Sequence, residues 1–261
     1  MKTETDIDTS YKNSEYYNPR DVDSTIHQEN EIRRINNLNK LFNTATIDMP
    51  KVDVRLGFKK KPVYNFFKRC FDLILSSLAI IVLSPIFLLT TLIVKLQDGG
   101  PVFFIQKRVG LNGKKFNMFK FRSMCPDAEQ KIADLLDKNE ATGPMFKIKD
   151  DPRVTPFGKF IRKTSIDELP QLFNIFAGSM SIVGPRPALP REANLYSEDQ
   201  KYRLLVKPGL TCIWQVSGRS NLPFEAQIEM DKEYIRKRNL LMDAILIVKT
   251  VPAVIKHDGA V

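Results

Sequence analysis

A chain of 261 residues with a formal net charge of +10 can hold one catalytic domain with appendages, and its cationic excess points to phosphate-bearing partners such as nucleotide, anionic lipid or nucleic acid. Its only histidines are His27 and His257, and Cys70, Cys125 and Cys212 lack metal-ligand spacing, so imidazole-centred catalysis and a zinc site are not expected. The odd cysteine count, with no signal peptide, fits a reducing compartment, and the chain carries no Walker A, no dinucleotide fingerprint and no nucleophile elbow.

Residues 1–50 are polar, rich in Asn, Asp, Glu and Ser, and without periodicity; Met1 to Glu31 holds eight acids against three bases. This is the composition of a disordered tail. From residue 51 the sign reverses. Lys51, Arg55, Lys59, Lys60, Lys61, Lys68 and Arg69 face Asp53 alone, with Phe58, Tyr64, Phe66 and Phe67 interleaved. Such a lead-in suits a membrane surface, though a solvated linker has the same composition. Leu73 to Val94 then carries no charge, and as a helix it would reach ~33 Å, enough for a bilayer core. Pro85 cannot donate to the carbonyl of Ile81, so a kink or break is expected at Ser84-Pro85, with Ser77 and Ser84 available to the freed backbone. A kinked span would place the two ends on opposite faces; a re-entrant hairpin would return both to one. Positive charge on both flanks (Lys68, Arg69; Lys95, Lys107, Arg108) resists translocation of either and favours the hairpin. A buried core helix is the third reading, disfavoured by the lack of a polar face.

Asp98-Gly99-Gly100-Pro101 ends the apolar element, closing a lead-in and anchor over 51–98. Val102–Gln106 and Phe116–Phe121 read as strands joined through a turn with an Asn112-Gly113 step. Lys107, Arg108, Lys114, Lys115, Lys120 and Arg122 make this hairpin basic, either as a solvated edge or as a phosphate surface. Pro126 to Asn139 fits an amphipathic helix, and Asp150 to Gly158, which includes Arg153, is a loop with its path set by prolines.

The most informative stretch is Thr164-Ser165-Ile166-Asp167-Glu168-Leu169-Pro170-Gln171. Two adjacent carboxylates sit between Lys159, Arg162 and Lys163 on one side and the apolar run Leu172 to Phe176 on the other. Ser165-x-x-Glu168 has the form of a capping box, the common structural meaning of such a pair. Pro170 weakens that reading. A helix starting near Asp167 places Pro170 in its first turn and both carboxylates at a helix mouth suited to phosphate. Further on, Arg186 is held between Pro185 and Pro187, either as a plain turn residue or as a guanidinium presented on stiff backbone. Lys207 to Val216 reads as a turn leading into a short strand, and Ser217-Gly218-Arg219-Ser220 presents another arginine on a tight turn. Leu222 to Arg238 reads as an amphipathic helix. Leu240 to Ile255 is apolar and broken at Pro252, resting in a membrane interface or on the core.

Taken in order, Lys68-Arg69-Cys70-Phe71-Asp72, Ser84-Pro85, Gly100-Pro101-Val102-Phe103, Gln106-Lys107-Arg108-Val109-Gly110, Phe119-Lys120-Phe121-Arg122-Ser123-Met124, Asp151-Pro152-Arg153-Val154-Thr155, Asp167-Glu168-Leu169-Pro170-Gln171, Gly184-Pro185-Arg186-Pro187 and Lys207-Pro208-Gly209-Leu210-Thr211 resemble the bacterial sugar transferase family. These are monotopic phosphoglycosyl transferases that pass a hexose-1-phosphate from a UDP-sugar to undecaprenyl phosphate, starting exopolysaccharide, capsule or O-antigen units. The resemblance covers about Lys68 to Ile255. It implies an α+β protein: a membrane re-entrant helix hairpin bent at Ser84-Pro85, then a small helix-rich catalytic domain over 99–239 with a short β-hairpin, then a C-terminal apolar helix over 240–261. It also implies Asp167 as nucleophile, Glu168 as a Mg²⁺ ligand, Arg162, Lys120 and Arg122 as phosphate-holding residues, and Arg186 as a nucleotide contact. Arg153 and Arg219 join them as candidate substrate-binding residues. The implied place is the cytoplasmic face of the bacterial inner membrane, with glucose or galactose favoured over an N-acetylated sugar, and no nucleic-acid partner. Larger relatives have several spanning helices before the anchor, where this chain has a polar tail. The rival classes are a membrane-anchored basic nucleic-acid-binding protein and a non-catalytic scaffold, neither of which accounts for Asp167-Glu168.

Overall fold

The computed structural model describes residues 58–261 apart from 129, 132–134, 136–147, 149, 219–221 and 257–261. The tail expected over 1–50 and most of the helix expected over Pro126–Asn139 lie outside the described residues.

Helix α1 (Pro62–Val82) opens with proline, where a missing N–H costs nothing, and Leu83 separates it from α2 (Ser84–Asp98), which also carries proline in its first turn. The axes bend by 60° at this break. Pro85 deprives Ile81 of its usual partner, and Ser84 Oγ donates to the Ile81 carbonyl at 2.8 Å instead. Helix α2 stops at Gly99, whose φ of 69° needs no Cβ, and whose N–H bonds the Lys95 carbonyl at 3.0 Å. Among the described residues no single helix is long and apolar enough to cross a membrane, although the bent pair together is.

The polarity of α1 is inverted. Its buried residues are Asp72 and Ser76, while Phe66, Phe71, Ile74, Leu78 and Ile81 are exposed. Asp72 Oδ1 accepts from Ser181 Oγ at 3.1 Å and from the Ile182 N–H at 3.0 Å, so the carboxylate docks the helix on the domain.

Strands β1 (Phe103–Val109) and β2 (Lys115–Phe121) form an antiparallel hairpin in the register Phe104↔Lys120, Gln106↔Met118, Arg108↔Phe116. Pairing continues past Gln106 to Val109 because Asn112 (φ 55°) and Gly113 (φ 73°) turn the chain within three residues. Helix α3 (Pro156–Lys163) is capped by Thr155, whose Oγ1 accepts from the Gly158 N–H at 2.9 Å. A 3₁₀ turn over Ile166–Glu168 leads to α4 (Gln171–Ala177). Strand β3 (Ser181–Val183) pairs in parallel with β4 (Gly209–Thr211), and between them lie α5 (Pro190–Asn194) and a 3₁₀ segment, Gln200–Leu205. A Cβ on Gly209 would lie 2.1 Å from the Gly184 nitrogen, so this crossing needs glycine. The chain ends with α6 (Ile213–Ser217), α7 (Phe224–Lys237) and α8 (Leu240–Lys256).

Two local expectations need correction. The strand read up to Val216 is only the three residues of β4, and Ile213 onward is helical, which buries Trp214. Pro252 does not break the last helix: α8 runs through it, and near a helix end the missing N–H costs a single backbone bond.

Among the described residues the core clusters in three parts. Val109, Ala188, Tyr196, Leu204, Phe224 and Ile228 join the hairpin to α7; Val183, Tyr202, Leu205, Tyr234, Ile235 and Leu246 join β3 to α7 and α8. Met118, Leu172, Ile175 and Met180 form the third, with Ala79, Ile80, Leu83 and Phe87 of the bent pair packed on it. The architecture is mixed and helix-rich around two small two-stranded sheets.

Candidate active site

The site forms where β2 meets the turn ahead of α4. Asn174, buried on α4, acts as a partner for the free edge of β2: its Oδ1 accepts from the Phe119 N–H at 2.9 Å and its Nδ2 donates to the Asn117 carbonyl at 2.7 Å. That clamp fixes Lys120 over the turn. From α1, Arg69 donates to the Ile175 and Phe176 carbonyls, 2.7 Å each, satisfying the open end of the same short helix.

The capping box does not form. Ser165 adopts a left-handed conformation (φ 58°), its side chain caps nothing, and the Glu168 N–H bonds its carbonyl instead at 3.2 Å. The turn therefore leaves both carboxylates to other partners. Lys120 Nζ lies 2.6 Å from Glu168 Oε1 and 3.7 Å from Asp167 Oδ2. Arg186 Nη1 stands 3.8 Å from the same Glu168 oxygen. The cleft is lined by Arg108, Lys120, Glu168, Gln171, Arg186 and Gln215 among others.

The two carboxylates titrate in opposite directions. Burial raises Asp167 to about 6, Glu168's charge adding to the rise and Lys120, Arg162 and Arg186 opposing it. Burial would also raise Glu168, but Lys120, Arg186 and Arg108 outweigh it and hold the carboxyl at about 2. A pair forced apart in this way can divide its work, one staying anionic and the other a poorly solvated, more basic carboxylate.

The other expected site residues fall into two groups. Arg162 belongs to the cleft electrostatically: burial lowers its pKa, the charge of Asp167 opposes that, and its Nε donates to Ser123 Oγ at 2.9 Å. Arg122 instead grips Asp98 with both terminal nitrogens, Nη1 at 2.8 Å, and ties the hairpin to the end of α2. Arg153 grips Asp151 at 2.6 Å and donates to the Ala128 carbonyl at 3.2 Å. Arg219 lies outside the described residues.

Arg108 is a cleft residue that the sequence placed in the basic hairpin, as a solvated edge or a phosphate surface, without marking it as a site residue. It is buried, donates to Gln106 Oε1 and the Pro187 carbonyl, and burial together with the Arg186 charge pushes its pKa down to about 10. Its signal was the hairpin period. Directly opposed residues share a face, so Phe104↔Lys120 and Arg108↔Phe116 put Lys120 and Arg108 on the same side.

As a metal site, the donor set is two adjacent carboxylates, and the described residues hold no group of three or more His, Cys, Asp or Glu able to bind an ion. This does not suit zinc. It fits Mg²⁺, which takes one or two carboxylates and completes its shell with substrate phosphate and water.

The sequence model of the family described as bacterial sugar transferase matches residues 63–257. The chain belongs to the bacterial sugar transferase family. It is 41% identical over 204 residues to the exopolysaccharide production protein ExoY of Sinorhizobium fredii, covering 77% of this chain and 90% of that one. It is 50% identical over 165 residues to the galactosyl transferase CpsE of Streptococcus agalactiae, covering 63% and 37%. It is 41% identical over 200 residues to the undecaprenyl-phosphate galactose phosphotransferase of Salmonella typhimurium, covering 75% and 42%. Against the last two, the match takes in less than half of the relative's length. As a bacterial sugar transferase the protein is an enzyme, and the cleft at Asp167-Glu168 is where its charged groups converge.

Proposed function

We propose that this sugar transferase moves a hexose-1-phosphate from a UDP-sugar to undecaprenyl phosphate, releasing UMP, as the first membrane step of exopolysaccharide, capsule or O-antigen synthesis. The observation that carries the reading is the Asp167-Glu168 pair under Lys120, at 3.7 and 2.6 Å, with Arg186 beside it. The names of two relatives support undecaprenyl phosphate as acceptor and galactose as the hexose, and that of the UDP-galactose-lipid carrier transferase of Erwinia amylovora supports a UDP-sugar donor.

Both substrates are anions and repel each other, and each repels a carboxylate nucleophile. Lys120, Arg108, Arg162 and Arg186 give the cleft more cations than its two carboxylates, which lets a diphosphate enter and an aspartate approach phosphorus. An oxygen of Asp167 attacks the sugar-bearing phosphorus. The bond to the bridging oxygen breaks, and UMP departs with the electron pair. An oxygen of the lipid phosphate then attacks the same phosphorus and the Asp167 carboxylate leaves, regenerating the enzyme. Two steps let each substrate be handled alone. Glu168 is the residue we assign to Mg²⁺, with Asp167 adjacent; when bound, the ion neutralises charge on the diphosphate.

The bent pair α1–α2 is proposed to enter and leave the cytoplasmic leaflet of the inner membrane at Ser84-Pro85. The inverted polarity of α1 supports this: a face of Phe66, Ile74, Leu78 and Ile81 turned away from the domain needs another apolar solvent. Exposed Leu241, Ile245, Val248 and Val251 on α8 support a second contact with the interface.

The test is UMP release from a panel of UDP-sugars by membrane-embedded protein given polyprenyl phosphate. The reading expects release with UDP-galactose or UDP-glucose and none without lipid phosphate beyond one equivalent of enzyme. No release from any UDP-sugar refutes it.

A further inference from the structure

Four successive carbonyls around Arg186 are held from three parts of the fold: β4, the 3₁₀ segment and the end of β1. Pro185 O accepts from the Gly209 N–H at 2.9 Å, Arg186 O from Arg203 Nη2 at 3.3 Å, Pro187 O from Arg108 Nη1 at 2.9 Å, and Ala188 O from the Val109 N–H at 2.9 Å. The prolines fix φ on either side of Arg186. Between the two prolines the remaining freedom is rotation about the backbone of Arg186 itself, and Arg203 holds its carbonyl while Arg108 holds the next one.

Arg108 lines the cleft, but Arg203 is part of nothing described so far. It is buried in the 3₁₀ segment Gln200–Leu205, donates to the Tyr196 hydroxyl at 3.0 Å, and pairs with Asp231 of α7 at 2.7 Å. Its guanidinium also lies over the Tyr196 ring, 5.6 Å from the centroid. Asp231 is only 1% exposed. Burying such a pair costs desolvation that two apolar side chains of similar volume would avoid, so stability alone is a poor reason for it. What the pair does achieve is to aim a guanidinium of fixed orientation at the Arg186 carbonyl from inside the core.

We infer that Arg203, held by Asp231, is a positioning residue for Arg186, fixing its backbone before nucleotide arrives and so setting affinity for the uridine diphosphate moiety rather than the rate of phosphoryl transfer. An anion-binding side chain on prearranged backbone loses less freedom on binding, and that saving is lost when the carbonyl is released. The inference rests on the proposed role of Arg186 as a nucleotide contact.

The test uses UDP as probe and the full chain carrying Asp167→Asn in nanodiscs, so that turnover plays no part. In that parent, the double variant Arg203→Met with Asp231→Leu removes both charges and leaves no orphan carboxylate. It should weaken UDP binding about fivefold to tenfold by calorimetry. In otherwise wild-type enzyme the same change should raise KM for the UDP-sugar by a similar factor and leave kcat within about twofold. On an Arg186→Ala background it should add nothing further. Unchanged UDP affinity in a cooperatively melting double variant overturns the inference, and so does a loss that persists in full on top of Arg186→Ala. If the double variant does not melt cooperatively, Arg203→Lys decides by the same criteria, since an ammonium can keep Asp231 but not the fork to Tyr196 and the Arg186 carbonyl. A parent that binds no UDP at all counts against the proposed function and takes this inference with it; a parent that binds UDP regardless of residue 203 removes only the positioning role.

Discussion

Lys120 and Arg122 stand two residues apart, yet they belong to opposite kinds of charge cluster. Arg122 is ion-paired to Asp98, as Arg153 is to Asp151. The cleft of Lys120 is lined by Arg108 and Arg186 as well, against Glu168, and Arg162 acts on the adjacent Asp167. A matched pair has its electrostatic demand met within the protein, so it binds the fold together and has little to offer a ligand. A cleft with surplus cations is completed only by an incoming anion. Cationic composition therefore does not mark the site; the local ratio of bases to acids does.

The comparison can be broken most severely at Asp167. Asp167→Asn should lower UMP release by at least about 10⁴-fold and retain no labelled phosphosugar on the protein, with the melt intact. An active Asn variant removes Asp167 from the chemistry. Glu168→Gln should cost about 10²- to 10³-fold and shift half-saturation to higher magnesium; a magnesium titration with an unmoved midpoint would reassign the metal ligand.

Arg122→Ala probes the matched side. Asp98 is exposed and keeps the Gly100 N–H, but the hairpin loses its tie to α2, so stability should fall by about 1 kcal/mol while KM for the UDP-sugar holds. A higher KM with an unchanged melting temperature would move Arg122 into the substrate site. Arg186→Ala should do the converse, raising KM about tenfold with little change in kcat or stability; a lower kcat at constant KM would put Arg186 in the chemical step.

The last effect is in the pH dependence of stability, measured with a chelator present. The raised pKa of Asp167, about 6, means the folded state holds that proton more tightly than the unfolded chain does. Wild-type stability should fall as pH climbs from roughly 4 through 6, and Asp167→Asn should be the more stable protein above that range by about 1–2 kcal/mol, the gap closing toward pH 4. Glu168 acts in a separate window, its depressed pKa stabilising the fold until pH falls below about 4 toward 2. A gap between wild type and variant that stays constant from pH 4 to 8 would show that Asp167 is not buried as a strained anion.

Much of the local structure was written along the chain, because short-range sterics and periodicity decide it. Pro85 dictates the break between α1 and α2, Asn112-Gly113 the hairpin, Gly99 the end of α2, and the apolar spacing of Leu222 to Arg238 the helix observed as Phe224–Lys237. The carboxylate pair and Arg186 also stood out by themselves, one as two adjacent acids ahead of a proline, the other as a cation between two prolines. The resemblance of the ordered motifs then pointed to the family to which the chain belongs.

Tertiary structure decided which charges work together. Nothing in the spacing of Lys120, Arg122 and Arg153 says that the first meets Glu168 and the second Asp98, twenty-four residues earlier in the chain. Nor does it say that Asn174 will serve as a strand partner for β2, or that Arg203 will reach the Arg186 carbonyl from a 3₁₀ segment braced by α7. Backbone preferences act over a few residues and are readable in order. A charge takes its role from whichever groups packing brings within a few ångströms, and that distance is a property of the fold.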